Sequence, residues 1–159
     1  MSNLTLATLC TDTYIQAHFP AVDFFEGITL DPSTVNATAV YNASASGNVF
    51  FPNYIGFDYC SVTFSYSHNG RDDVVDLTYW LPEPENFQNR YLATGGGGYA
   101  INSGTTTGDD TRSSLPGGLE YGAVAGLTDG GFGIFQDQAI EDFLLANGTL
   151  NYENIYMFG

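Results

Sequence analysis

Between Ser61 and Ser67 the chain alternates strictly, with Val62, Phe64 and Tyr66 apolar and Ser61, Thr63, Ser65 and Ser67 polar. A period of two predicts a half-buried strand. Asn69-Gly70 supplies turn chemistry and Val74 to Leu81 resumes as a second strand, which predicts a hairpin ended by Pro82 and Pro84. Upstream, Asp12 to Phe19 reads as a short helix, with Thr11 or Asp12 as cap and Pro20 as stop. A loop-rich stretch follows, with weak strand signals at Ile28-Thr29-Leu30 and Ala39-Val40-Tyr41. Arg90 to Thr94 is a short strand that runs directly into Gly95-Gly96-Gly97-Gly98. Tyr121 to Leu127 reads as a buried strand of small and apolar residues, with Thr128-Asp129-Gly130-Gly131 as the loop after it. Asp137 to Ala146 carries the strongest helical pattern: Ile140, Phe143 and Leu144 share a face, and Asn147-Gly148 terminates it. Tyr152, Ile155 and Tyr156 begin another helical pattern. It stops at Met157-Phe158-Gly159 without a cap, which predicts that the polypeptide continues past Gly159. Antiparallel strands followed by strand–loop–helix alternation predict the α/β class: a mixed sheet with few helices, entered through a hairpin.

The 159 residues suit one domain, residues 1–159, and 43% hydrophobic content with 12 Phe and 11 Tyr can fill a core. Charge narrows the functional classes. Eighteen Asp and Glu against three Arg and Lys leave a formal charge of -15. Three scattered cations cannot neutralise a run of phosphates, so nucleic acid is excluded as a partner. An anionic membrane surface repels such a chain, and no apolar run approaches the roughly 20 residues of a spanning helix.

Other residues bear on the compartment. Met1 to Leu9 has neither the cationic start nor the apolar stretch of a signal peptide. Four glycosylation sequons nevertheless occur, at Asn3, Asn36, Asn42 and Asn147. Cys10 and Cys60 are either two buried thiols or one disulfide, and an extracellular setting favours the bridge. Closing a loop of that length stabilises a fold by about 4 kcal/mol on the chain-entropy account. These features together predict a secreted protein whose leader is not in this sequence.

The run Gly95 to Gly98 has three readings. A flexible linker would have Ser-rich flanks, which are missing. A dinucleotide loop matches Gly95-x-Gly97-x-x-Ala100 literally, but it requires a helix to open at once, and a loop-like stretch from Asn102 to Gly108 follows instead. The third reading is an oxyanion-hole loop, in which glycine lets backbone N–H groups approach a developing O⁻ without a Cβ in the way. Catalytic side chains are scarce. No G-x-S-x-G occurs, and no His, Cys and carboxylate cluster has zinc spacing. His18 on the short helix and His68 at the hairpin turn read as surface or structural residues. Asp72-Asp73 and Asp109-Asp110 could ligate calcium, but adjacent acids in polar loops are more often only solvated. Asp129 at a strand end could orient a loop by accepting backbone N–H bonds.

Arg90 to Ala100 resembles the glycine-rich segment of the fungal tannase and feruloyl esterase family. The similarity runs on through Leu115 to Ala125 and Thr128 to Gly131. Tyr79-Trp80-Leu81-Pro82, the Cys10 and Cys60 spacing, and Asn154 to Gly159 also fit. The resemblance implies a secreted serine esterase with an α/β-hydrolase core, of which this chain is an incomplete N-terminal portion. It implies a Ser–Asp–His triad and a lid domain holding calcium, all downstream of Gly159, so this chain holds no catalytic side chain, metal or cofactor. Its substrate would be a phenolic ester of plant cell-wall origin. What carries over to this sequence is Gly96 and Gly97 as oxyanion-hole contributors, and a Cys10–Cys60 bridge. Phe132 departs from the polar residue that relatives often place after the glycine pair.

The same resemblance predicts that the strand feeding the glycine run is left as an exposed apolar edge, in a remnant of four strands that shows no turnover alone. A rival reading is a secreted, acidic, carbohydrate-binding β module, with or without calcium, suggested by the 15% aromatic content and the Asp pairs.

Overall fold

The structure is a computed structural model, and it describes residues 5–47, 51–94, 114–131 and 143–158. Two short helices open it, α1 (Leu6–Leu9) and α2 (Asp12–Ala17), followed by strands β1 (Ile28–Ala45), β2 (Tyr54–His68), β3 (Val75–Pro82) and β4 (Arg90–Ala93). Helix α3 (Leu115–Glu120), strand β5 (Ala123–Thr128) and helix α4 (Tyr152–Phe158) complete the described elements. The strands form one mixed sheet in the order β1-β2-β3-β5-β4. Neighbours are antiparallel except for β4 and β5, which are parallel.

The alternation read between Ser61 and Ser67 is realised in β2, whose pairing with β3 places Val62 opposite Tyr79 and Phe64 opposite Leu77. The strand that feeds the glycine run, β4, lies at the sheet edge, and all four of its residues are exposed. The sheet has five strands rather than four. The two weak signals at Ile28 and Ala39 belong to one continuous strand of 18 residues, β1. Its register shifts between Asp31 and Asn36 and again between Val40 and Ala43, which breaks the period of two in the sequence. At the first shift the Ser33 N–H donates to Asp31 Oδ1 at 2.9 Å and the Thr34 hydroxyl donates to the Asp31 carbonyl at 2.7 Å. These local bonds hold Pro32 out of the ladder, where its missing N–H costs nothing.

Helices cover both faces of the sheet. On one face Phe57, Tyr59, Trp80, Ala125 and Leu127 pack under Leu115 and Leu119 of α3. There the rings of Tyr54, Phe57, Tyr59 and Trp80 stack in succession, with centroid spacings of 4.2, 5.6 and 4.1 Å. On the other face Cys60 and Val62 bury against Leu6 and Cys10 of the N-terminal helical segment. Cys10 and Cys60 form a disulfide with a Cα–Cα distance of 5.6 Å, across a sequence separation of 50. It ties α1 and α2, helices too short to be stable alone, onto β2. Of the two caps the sequence offers, Thr11 is the one used: its side chain accepts the Tyr14 N–H at 3.1 Å.

Two elements differ from the reading of the sequence. Residues 137–142 of the expected helix lie outside the described residues, and its remainder, Phe143 to Ala146, is not helical. Leu144 bridges Leu150 in antiparallel fashion, Gly148 sits at φ 79°, and the Asn151 N–H donates to the Phe143 carbonyl at 2.8 Å. Asn147-Gly148 is therefore the tip of a tight turn rather than a helix stop, with the flanking leucines paired across it. The second difference is α3, which the sequence pattern left unassigned. It contains Pro116, Gly117 and Gly118, and it exists because those glycines let it lie against the sheet. A Cβ on Gly118 would sit 2.6 Å from the Ala125 Cβ, and one on Gly117 would sit 2.7 Å from the Phe51 ring.

Candidate functional site

β4 and β5 run side by side in the same direction, with Arg90 beside Ala123 and Ala93 beside Gly126. Their carboxyl ends therefore leave the sheet at one edge, the place where open α/β sheets hold their ligands. Both ends run into glycine-rich sequence. Gly95 to Gly98 follow β4, and Thr128-Asp129-Gly130-Gly131 closes β5. Gly96 and Gly97, with Asp109, Asp110 and Phe132, lie outside the described residues. The described structure fixes the point from which the run departs. The Thr94 N–H donates to the Gly126 carbonyl at 2.7 Å, and the Thr94 hydroxyl donates to the same oxygen at 3.2 Å. Gly126 permits this close layering, because a Cβ there would meet the Tyr79 ring at 2.6 Å and the Tyr91 hydroxyl at 2.7 Å.

The loop after β5 is internally satisfied. Asp129 Oδ1 accepts the Gly131 N–H at 2.8 Å and the Asp76 N–H at 2.9 Å, while Thr128 Oγ1 accepts the Gly130 N–H at 3.0 Å. Gly130 and Gly131 adopt φ values of 63° and 79°, a left-handed pair that curls the backbone around those acceptors. Their amides are spent, so this loop offers no donor to an oxyanion. Asp129 thus orients backbone, as its place at a strand end suggests, and it also ties β5 to the start of β3.

The remaining candidates separate from this edge or take structural roles. His68 ends β2 and pairs through Nδ1 with Asp73 Oδ2, while its N–H donates to Asp73 Oδ1 at 2.9 Å. Partial burial pushes the Asp73 carboxyl up, but the His68 bonds and charge, with Arg71, outweigh it and hold the group below its usual range. That pair staples the two ends of the hairpin turn. His18 closes α2, with Nδ1 at 2.8 Å from the Tyr14 carbonyl oxygen and its ring stacked on Tyr14. Asn36 and Asn42 are exposed on β1, Asn147 is exposed in the Asn147-Gly148 turn, and Asn3 lies outside the described residues. Among the described residues no group of three or more His, Cys, Asp and Glu could hold a metal ion.

Tyrosines line the sheet next to the candidate edge. The hydroxyl of Tyr79 loses acidity through burial first and then through the neighbouring Tyr91. Burial, with Asp73 and Asp129, does the same to Tyr66. These phenols stay protonated at neutral pH and act as hydrogen-bonding aromatic surface, not as bases. At the opposite end of the sheet an apolar groove of about 260 Å³ lies between Leu6, Leu9 and Ile15 on one side and Leu81, Pro84 and Phe87 on the other. It presents almost no polar atom and has nothing with which to activate a substrate.

Residues 60–159 match the family model described as tannase and feruloyl esterase. A tannase of Aspergillus oryzae is 38% identical over 150 residues, covering 94% of this chain and 23% of the relative. A probable feruloyl esterase of Arthroderma benhamiae is 37% identical over 101 residues, 64% of this chain and 18% of that protein. Among solved structures, tannin acyl hydrolase from Aspergillus niger superposes with a TM-score of 0.84 at 54% identity, covering 97% of this chain and 26% of that one. The chain thus spans about a quarter of the length of the relatives that match nearly all of it. The matched segment takes in the parallel β4–β5 pair and both glycine segments at its carboxyl edge, and the chain belongs to the tannase and feruloyl esterase family.

Proposed function

We propose that this chain is the N-terminal part of a secreted serine carboxylic-ester hydrolase acting on phenolic esters of the gallate or ferulate type. In this reading it supplies part of the oxyanion hole and no residue of the triad. The observation that carries the proposal is the parallel β4–β5 pair, because it delivers two glycine segments to one edge and the loop after β5 has consumed its own amides. The proposal assigns the oxyanion-binding role to the amides of Gly96 and Gly97, as the family resemblance implies. A serine elsewhere in the polypeptide attacks the ester carbonyl, and negative charge collects on its oxygen. Two N–H groups set in advance at that oxygen stabilise it more in the transition state than in the ground state, by about 3–4 kcal/mol for each such donor.

The mixed sheet is, on this account, the first part of an α/β-hydrolase sheet. The open side of β4 receives the strand that carries the nucleophile, which accounts for the exposure of Tyr91 (59%) and Leu92 (40%). The nucleophilic serine, its acid and histidine, and a calcium-holding lid belong to the length that the relatives have and this chain does not span. Secretion is supported by the sequons and by the Cys10–Cys60 bridge, a bond that persists in oxidising compartments.

Fluorophosphonate labelling tests the assignment. The 159-residue chain stays unlabelled and hydrolyses neither methyl gallate nor methyl ferulate. The same chain joined to the remainder of the Aspergillus niger relative takes up one label and hydrolyses at least one of the two esters. Labelling of the chain alone, or a joined protein that folds and remains inert, contradicts the proposal.

A further inference from the structure

We propose that the rings of Phe24 and Phe25 form an accessory surface for an uncharged phenolic ring, and so hold one part of a many-ringed ester while another part reacts. The inference rests on the phenolic-ester reading above and goes beyond it by giving the substrate a second point of contact.

The loop between α2 and β1 is exposed from Ala21 to Gly27, and within it Val22, Phe24 and Phe25 stand 47%, 65% and 51% open to solvent. A cluster of large exposed apolar groups marks a contact surface, whereas single ones do not. The two Phe rings meet edge to face, with centroids 4.8 Å apart and planes at 86°. Such a corner can receive a third ring, stacked on one partner and meeting the edge of the other. Backbone bonds hold the corner in place. The Phe24 N–H donates to the Ala21 carbonyl, the Leu30 N–H to the Val22 carbonyl, and the Asn69 N–H to the Gly27 carbonyl, each at 2.9 Å. The rings take part in none of these bonds, so the loop presents them already ordered, and removing them leaves its anchors intact.

Charge selects the occupant. Asp23 and Glu26 flank the rings, the loop has no cation, and the whole chain has a formal charge of -15. An anion is repelled, including the carboxylate product of ester hydrolysis. A neutral ring with several hydroxyl groups fits, because carboxylates accept phenolic O–H bonds while the rings stack. Position links the corner to the reaction. The loop enters β1 at Ile28, which pairs with His68, and the same end of the sheet holds Val75, Thr128 and Ala93. The corner therefore lies at the end where β4 and β5 deliver their glycine segments. Four strand spacings separate β1 from β4, which is about 19 Å. An ester with several rings on one core can bridge that span, and a single-ring ester cannot. The second contact then raises the effective concentration of the first.

Equilibrium dialysis and kinetics test this with a glucose ester carrying several galloyl groups. The 159-residue chain is expected to bind that ester and not the gallate ion. Phe24→Ser with Phe25→Ser should weaken binding by about five- to tenfold, while Phe24→Tyr with Phe25→Tyr, which keeps both rings, retains it. In the chain joined to the remainder of the Aspergillus niger relative, the serine variant should raise KM for the many-ringed ester by a similar factor and leave methyl gallate turnover unchanged. If the double serine variant does not fold, as read by its melting curve, Phe24→Ser alone takes its place. Equal binding by the serine variant and the wild type, tight binding of the gallate ion, or an equal loss with both esters overturns the inference. A joined protein inert toward both esters counts against the phenolic-ester reading, and the dialysis with the 159-residue chain then decides the binding surface on its own.

Discussion

Replacing Gly126 by alanine probes the layer on which the glycine run after β4 rests. The new Cβ would fall 2.6 Å from the Tyr79 Cε1 and 2.7 Å from the Tyr91 hydroxyl, both inside van der Waals contact. Tyr79 is held between Phe64 and Tyr91, with ring centroids 5.7 and 6.2 Å away, so the ring cannot simply swing aside. Overpacking of this kind costs about 1–3 kcal/mol. Replacing glycine in a strand returns about 0.5–1 kcal/mol of backbone entropy. The net expectation is a loss of about 1–2 kcal/mol, or about 2–8 °C in Tm for a chain of this size. Differential scanning calorimetry reads it directly. Tyr91→Phe in the same protein removes one of the three clashing atoms and should restore part of the loss, while the Tyr79 clash remains. A Gly126→Ala protein that melts at or above the wild-type temperature refutes the packing argument, and with it the claim that Gly126 allows Thr94 to be pinned so closely.

Other outcomes follow from the same structure. Cys10→Ser with Cys60→Ser should cost about 4 kcal/mol and expose the first 20 or so residues to protease before the rest, since the closed loop spans a separation of 50; unchanged denaturant midpoint and cleavage order would disprove it. Asp129→Ala leaves the Gly131 and Asp76 N–H groups without their acceptor and should cost about 1–3 kcal/mol, with Asp129→Asn milder because it keeps an oxygen there. Asp73 titrates below its ordinary value of 3.8 in the folded state, so its contribution is fully present above that value and is lost as pH falls through the lowered one. The stability difference between wild type and Asp73→Asn should therefore shrink as urea midpoints are measured from pH 5 down to pH 2; a constant difference speaks against the His68–Asp73 staple.

The hairpin of β2 and β3 was legible because its alternation is clean and Asn69-Gly70 marks the turn. The short β4 and the cap of α2, narrowed to Thr11 or Asp12, followed from equally local signals, whereas the exposed β4 edge was implied by the family resemblance and the disulfide by that resemblance together with an extracellular setting. β1 was only half legible, since Pro32 and two register shifts interrupt its period while the Asp31, Ser33 and Thr34 bonds keep the strand running. No window of sequence shows that. α3 was hidden for a different reason: Leu115-Pro116-Gly117-Gly118 is poor helical sequence, and the element is held by contact with Phe51 and Ala125 rather than by propensity. The Asn147-Gly148 error came from choosing one of two meanings of the same dipeptide. The alternation of Leu144 and Leu150 about it was the available sign of a turn. At the site itself, the spent amides of Gly130 and Gly131 could not be read from sequence, because they depend on where Thr128 and Asp129 point.

Kinetics on the chain joined to the remainder of the Aspergillus niger relative tests most directly whether the amides after β4 bind an oxyanion. Gly96→Pro and Gly97→Pro each delete one N–H, with the melting temperature checked for each protein. The account predicts a kcat for phenolic ester lowered by about 10²–10³ with KM within a few-fold of the parent, since the lost bond forms fully only in the transition state. Folded variants that keep the parental kcat at both positions would contradict it.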